Sequence, residues 1–385
     1  MTVLDRRNSV VDTTLVERAI SLQPLLRQHA GFGEHNRQTA DEVIDAMTDA
    51  GLFRLGSPTR FGGFAAGART RLSVTEALGE ADGSAAWLVA IASDATWIVG
   101  HAPERLQQEV FGAGADARLA GGISPVHGHR VDGGIQVTGR WPFASGAPHA
   151  DWAGIGVLLT DDSGHAAPYL CVVPASEMRI DDTWQTAGMR GTGSHSWAAE
   201  NLFIPEHRIL SLSTVTEGGE ISFGALGALN LLGPILGMGR GALALAIGKA
   251  PTKALQHTFF ARQSDSVGVQ IQVAEAALKL QTARLHGYQA ADELDGAVAD
   301  GTALGFDGSA RIRAQCGYAV QQVLAALNIL VNVHGAGSFA ESNRMQQYWR
   351  DANTAARHAG LNATVGYEIF GKSLLGVQER ISTMI

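Results

Sequence analysis

Apolar residues recur at helical spacing over roughly the first 110 positions of the chain. Leu15, Ala19, Leu22 and Leu26 share one face, and Val43, Met47 and Leu52 roughly continue the pattern. Gly62-Gly63 and Gly67 interrupt it before Leu72–Ala81 and Ser84–Val99 resume it. Asp82-Gly83-Ser84 reads as a helix start with Ser84 as the cap. From about 118 to 210 the period shortens and Gly and Pro punctuate it. Gly134–Gly139 alternates apolar and polar residues like a half-buried strand, and Trp152–Leu159, Tyr169–Val173 and Trp197–Phe203 are further strand candidates. Asp132-Gly133-Gly134 fits a turn between two strands.

After Gly218 helical spacing returns in long elements. Val269, Val273, Ala277, Leu280 and Leu285 mark one stripe; Val320, Val323, Leu324, Leu327 and Val331 mark another. The wide apolar faces of 225–248 and 318–333 suggest a bundle that also packs against other subunits.

Composition narrows the function classes. No run reaches the roughly 18 uninterrupted apolar residues of a membrane span, and the polar start Met1–Asn8 is no signal peptide. A net charge of −8 without a Lys/Arg cluster argues against nucleic acid. Cys171 and Cys316 lie far apart, as reduced intracellular thiols do. His127, His129, His149 and His195 lack Cys or carboxylate partners at ligand spacing, so no metal site is expected. Gly237-Met238-Gly239-Arg240-Gly241 follows no strand, which excludes a dinucleotide fingerprint and leaves close helix packing as its reason.

Four stretches carry the candidate chemistry: Pro58-Thr59-Arg60-Phe61-Gly62-Gly63, Gly139-Arg140-Trp141-Pro142-Phe143-Ala144-Ser145-Gly146, Gly188-Met189-Arg190-Gly191-Thr192-Gly193-Ser194, and Arg350-Asp351-Ala352 leading to His358-Ala359-Gly360. In this order they resemble the motifs of the acyl-CoA dehydrogenase fold. That resemblance implies an α+β multi-domain chain: an N-terminal α-helical domain (1–115), a central β-barrel or sandwich domain (116–212) and a C-terminal four-helix bundle (213–385).

The dehydrogenases place a proton-abstracting carboxylate just before the glycine that corresponds to Gly360. Ala359 stands there, beside His358, and the helix around Leu243–Ala254 offers only Lys249 and Lys253. The variants within the motifs, with His149-Ala150-Asp151-Trp152 after Gly146, are similar instead to two-component flavin-dependent monooxygenases of this fold. Closest in pattern are the oxygenase components that hydroxylate phenols and aromatic polyketides. By that resemblance a separate NAD(P)H:flavin reductase supplies diffusible reduced FMN or FAD. The oxygenase reacts it with O2 through a C4a-hydroperoxide and hydroxylates an aromatic substrate that is phenolic, polycyclic or indole-like. A cytoplasmic homotetramer is implied as well.

The same resemblance assigns residues. Ser145 would meet flavin N5. His358 would act as acid or base, since imidazole titrates near working pH. Trp141, Phe143, Ser124, Arg190, Thr192, Ser194 and Arg262 would line or bind the flavin, and Trp87, Trp97, Phe223 and Leu361 would wall the substrate pocket. Plainer roles compete: Trp141 as core, Ser145-Gly146 as a turn, His358 bonded to backbone, and hydrophobic core for the pocket walls. In Arg262-Gln263-Ser264-Asp265 the Phe-Gly that follows the family's arginine is absent. Alternatives to the aromatic hydroxylase are an N-hydroxylating enzyme of the same fold, an acyl-CoA dehydrogenase with a relocated base, and a flavin-binding scaffold without catalysis.

Overall fold

The computed structural model describes residues 11–160, 164–211, 223–377 and 379–382. Among the described residues six helices come first: α1 Thr13–Ser21, α2 Gln23–Asn36, α3 Asp41–Asp49, α4 Ala68–Gly79, α5 Gly83–Gly100 and α6 Glu104–Phe111. Leu15, Ala19, Leu26, Val43 and Met47 are all buried in their shared core. Helix α5 is capped by Asp82, whose carboxylate accepts the Ala85 N–H at 2.9 Å, and not by Ser84 as its spacing suggested. Asp82 has the extended backbone a cap requires, whereas Ser84 already lies inside the helix.

Seven strands follow in one sheet: β1 Leu119–Val131, β2 Gly134–Trp141, β3 Trp152–Thr160, β4 Ala166–Pro174, β5 Arg179–Asp181, β6 Ser196–Pro205 and β7 Ile209–Ser211. Their order is β5-β6-β2-β1-β3-β4-β7, with only β1 and β3 parallel. Strand β1 runs through the Gly-Gly-Ile-Ser-Pro segment 121–125. The pairing register shifts between Gly122 and Val126, so the Gly-Pro signal marks a bulge inside a strand. The Asp132-Gly133 turn joins β1 to β2, with Gly133 in the left-handed region at φ 76°.

The last five helices are α7 Phe223–Lys249, α8 Val267–Ala299, α9 Gly305–His334, α10 Arg344–Ala355 and α11 Ala363–Leu374. The expected domain boundary at 212/213, and the return to helix after Gly218, lie outside the described residues. Helix α7 is the centre of this part: its residues from Gly224 to Gly239 are buried apart from Gly227. Glycines bring it against α4, since a Cβ on Gly237 would stand 2.2 Å from the Glu76 carbonyl oxygen. The stripe on α8 is also displaced from expectation. Val269, Ala276, Leu280 and Ala283 are buried, whereas Leu285 is 64% exposed.

Helices α5, α7 and α9 are long and apolar enough to cross a bilayer, but 78%, 67% and 50% of their most apolar windows are buried within the protein.

Candidate functional site

Two loops meet at the end of the sheet that faces the helices. One follows β2 and carries Phe143 through Gly146; the other precedes β6 and carries Gly188 through His195. The Gly146 N–H donates to the Thr192 carbonyl at 2.8 Å, and the Ala144 N–H to that of His195 at 2.9 Å. Phe143 and Met189 adopt positive φ, 64° and 55°, which non-glycine residues rarely do. Phe143 is 67% exposed, with its ring edge-on to Trp184 at 6.3 Å.

Inside this junction three hydroxyls form a chain. Thr192 Oγ1 donates to the Met189 carbonyl at 2.7 Å, which commits its single proton. Ser194 Oγ, 2.6 Å away, must therefore donate to Thr192. Ser145 Oγ, 2.8 Å from Ser194, must then donate to Ser194. The proton count leaves the Ser145 oxygen as an acceptor. Thr192 and Ser194 are buried and Ser145 half-buried, so the buried pair acts through Ser145 and offers no hydroxyl of its own to a phosphate or ribityl chain.

The loop is clamped from the far end of the chain. Met189 N–H donates to Asp351 Oδ1 at 2.5 Å, and the Arg350 guanidinium bonds the Ala187 carbonyl and pairs with Glu34 at 2.5 Å. Full burial, then Glu34, push the Asp351 carboxyl up to about 8, so it is largely protonated at pH 7. Arg190 belongs to the same clamp. Its guanidinium donates to the carbonyls of Glu34 at 2.7 Å and Thr186 at 3.0 Å, bracing the loop on α2.

His358 lies beyond the C-terminal end of α10, not on a helix, and caps the short turn Ala359–Leu361. Its Nδ1 accepts the Gly360 N–H at 3.1 Å, so the neutral ring carries its proton on Nε2. The ring meets the Trp87 indole edge to face, centroids 5.6 Å apart. Water reaches this residue, yet enough protein surrounds it for desolvation to pull the imidazole down to about 4, assisted by Arg313. It is neutral at pH 7, which corrects the expectation of titration near working pH.

Ser145 and His358 flank one end of α5. Gly146 packs on Leu88, a Cβ there lying 3.3 Å from Leu88 Cδ2, while the adjacent Trp87 touches His358. A path along α5 runs from Trp87, itself core at 5% exposure, to Trp97, which stacks on Phe223 of α7 at 6.4 Å. Ile91, Trp97, Phe223 and Gly227 are half-buried along this path.

Other expected residues are elsewhere. Trp141 is 0% exposed and its indole donates to the Gly156 carbonyl at 2.8 Å, so it is sheet core with no face left for a cofactor. Leu361 is likewise core, at 1% exposure. Ser124 is exposed at the β1 bulge. Arg262 is exposed and paired with Asp265 at 2.9 Å, away from both loops; the acid that replaces the family's glycine holds it.

A buried acid near these residues carries little sequence signal. Asp94, on α5 between Trp87 and Trp97, receives a hydrogen bond from Asn230 Nδ2. Its only sequence signal is a lone charge in an otherwise apolar helix.

A flavin fits this donor set. Ser145 presents an acceptor, His358 Nε2–H a donor, and the exposed Phe143 ring an apolar surface.

Two family models match the chain: the acyl-CoA dehydrogenase N-terminal domain over residues 19–116 and its C-terminal domain over residues 230–363. The oxygenase subunit HsaA of a flavin-dependent monooxygenase from Rhodococcus jostii is 29% identical over 377 residues, 94% of this chain and 98% of its own. The oxygenase component of an FADH2-dependent resorcinol hydroxylase from a Rhizobium species is 29% identical, covering 95% of each chain. Among solved structures, XiaF from a Streptomyces species, in complex with FADH2 and glycerol, superposes with a TM-score of 0.93 at 34% identity over 97% of each chain.

Proposed function

The chain belongs to the flavin-dependent monooxygenase oxygenase components built on acyl-CoA dehydrogenase domains, and we propose that it hydroxylates an aromatic small molecule with reduced FMN or FAD delivered by a separate NAD(P)H:flavin reductase. The observation that carries this reading is the neutral His358 with Nε2–H directed by the Gly360 contact, next to Ala359 where a dehydrogenase of this fold would need a carboxylate. A methyl group takes no proton from carbon.

Bound reduced flavin supplies the electrons with which O2 is activated, one oxygen atom entering the substrate and the other leaving as water. The protein has three tasks around that chemistry. Ser145 offers its oxygen to an N–H donor, and the 1,5-dihydro form of the ring has one at N5 where the oxidised form has none. That polarity favours the reduced ring. His358 donates Nε2–H to an oxygen atom and, being neutral, stabilises it without adding a charge to a desolvated site. The Arg350–Asp351 clamp holds the Gly188–Ser194 loop, so Ser145 and its relay are positioned before the cofactor arrives.

The protein acts as a cytoplasmic homotetramer in this reading. Its support is an exposed apolar stripe on α8, where Val267, Ile271, Leu278 and Leu285 are each between 62% and 64% exposed. Arg262 and the fully exposed Phe259 project just ahead of that helix, in position to reach a neighbour.

The test is product formation from phenols and indoles with the protein, a flavin reductase, NADH and 18O2. A product heavier by one labelled oxygen atom is expected, with none when either protein is omitted. Turnover of an acyl-CoA to its enoyl form without O2 would replace this reading with dehydrogenation.

A further inference from the structure

The stretch of α5 from Trp87 to Trp97 holds one buried polar pair with α7. Asp94 stands seven residues beyond Trp87 on α5, about 10 Å along the helix at 1.5 Å per residue. Both residues fall on the helix face that also presents the half-buried Ile91. Asp94 is 8% exposed, and Asn230 of α7 is 0% exposed.

Their hydrogen bonding is incomplete on one side. Asn230 Nδ2 donates to Asp94 Oδ1. Asn230 Oδ1 is buried without a hydrogen-bond partner. Among the described residues Asp94 Oδ2 accepts no hydrogen bond either. Arg71, whose charge lies nearby, gives its Nε to the Ala66 carbonyl at 2.7 Å and points its Nη1 to that of Ser93 at 3.5 Å. Asn230 Oδ1 is thus a buried acceptor left without a donor beside a carboxylate oxygen with room for one, and a buried polar atom left unpaired is costly.

Space is kept beside them. Gly227 lies one turn before Asn230 on α7 and is half-buried; a Cβ there would stand 3.5 Å from Asp94 Oδ2. The missing side chain leaves that oxygen approachable from the path between Trp97–Phe223 and Trp87–His358. A pair meant only to cross-link α5 and α7 needs neither the opening nor the second acceptor.

We infer that Asp94, seated by Asn230, reads a hydroxyl or N–H at the far end of an extended aromatic substrate, whose reacting ring lies at Trp87 and His358. The substrate class is then a fused or linked polycycle bearing a hydrogen-bond donor remote from the carbon that is hydroxylated. This rests on the monooxygenase reading for which end reacts. Burial raises the Asp94 carboxyl to about 6, low enough to leave it mainly ionised at pH 7.5, when its bond to a donor is strongest.

The experiment is anaerobic calorimetry on the protein saturated with reduced FAD, using 4-hydroxybiphenyl and biphenyl-4,4′-diol as probes. Wild-type protein should bind the diol at least ~10-fold more tightly, as a hydrogen bond to a charged acceptor allows. Asp94→Asn should cut that ratio to a few-fold (~3) by removing the charge. Gly227→Ala, which improves the helix and leaves Asp94 in place, should abolish the ratio while sparing 4-hydroxybiphenyl. It decides the matter even if the Asp94 variant fails to fold. Equal binding of the two probes by wild-type protein, or a ratio that survives Gly227→Ala, overturns the assignment of Asp94 but not the oxygenase reading. Failure of both probes to bind overturns both.

Discussion

His358 Nδ1 accepts the backbone N–H of Gly360 at 3.1 Å, and this contact decides what the imidazole can do. With Nδ1 occupied, the free nitrogen is a donor; using it as a base requires the other tautomer and breaks the bond to Gly360. His358→Ala should therefore leave flavin binding intact but release most reducing equivalents as H2O2, with product yield down at least ~10-fold. Wild-type coupling should be flat from pH 8 to pH 6.5, since the group is already neutral there. Because its folded pKa lies below the unfolded value of 6.5, its share of stability is complete above 6.5 and drains as pH falls toward about 4. Peroxide assays across pH check the first expectation, and thermal melts check the second.

The hydroxyl chain makes a prediction about redox preference. Ser145→Ala should weaken reduced-flavin binding ~5-fold, the worth of about one hydrogen bond, and leave oxidised flavin nearly unchanged. Thr192→Val removes the acceptor that orients Ser194. Ser194 can then turn its proton toward Ser145, and the preference for reduced flavin should shrink with every contact residue still in place. Anaerobic titration of both redox forms against both variants measures this.

Asp351 is a buried acid that holds its proton at pH 7. Its folded pKa is raised from 3.8 to about 8, so this residue costs the native state stability as pH climbs between those values. Asp351→Asn keeps an acceptor for Met189 N–H without that titration and should equal or exceed wild type at pH 8. Asp351→Ala orphans the Met189 N–H and should be ~1–3 kcal/mol less stable than Asp351→Asn at any pH. Chemical denaturation at pH 5 and pH 8 separates the three proteins.

Subunit assembly through α8 predicts that Ile271→Asp combined with Leu278→Asp yields monomers or dimers with unchanged helix content. Light scattering reads the mass and circular dichroism the fold. A tetramer that survives both charges would place the interface on another surface.

Much of this architecture is legible in the sequence because period and punctuation are local. The strands at Trp152, Tyr169 and Trp197 and the buried stripe of α9 follow from alternation and 3.6-residue spacing. Whether a helix face is turned to its own core or to a neighbour is not local. Residues 225–239 and Leu285 show the same apolar texture, but one is sheathed by α4, α5, α9 and α10 and the other faces outward. The motifs located the two loops and the His358 turn. They did not reveal that Trp141 is sealed, that Thr192 and Ser194 spend their protons internally, or that the Asp351 of one motif clamps the Met189 of another. The first and last depend on partners 15 and 162 positions apart, and the hydroxyl pair matters only through Ser145, 49 positions from Ser194. Asp94 could have been found, as a charge among the alanines and tryptophans of a helix too apolar to be exposed.

The central claim is that this site activates oxygen and does not abstract a proton from carbon. Rapid mixing of the anaerobic complex of protein and reduced flavin with oxygenated buffer, followed by absorbance, tests it most directly. A transient species with a spectrum unlike either reduced or oxidised flavin, longer-lived in wild type than in His358→Ala, is the predicted result. Direct, single-step return to the oxidised spectrum at the rate of free flavin would contradict the account.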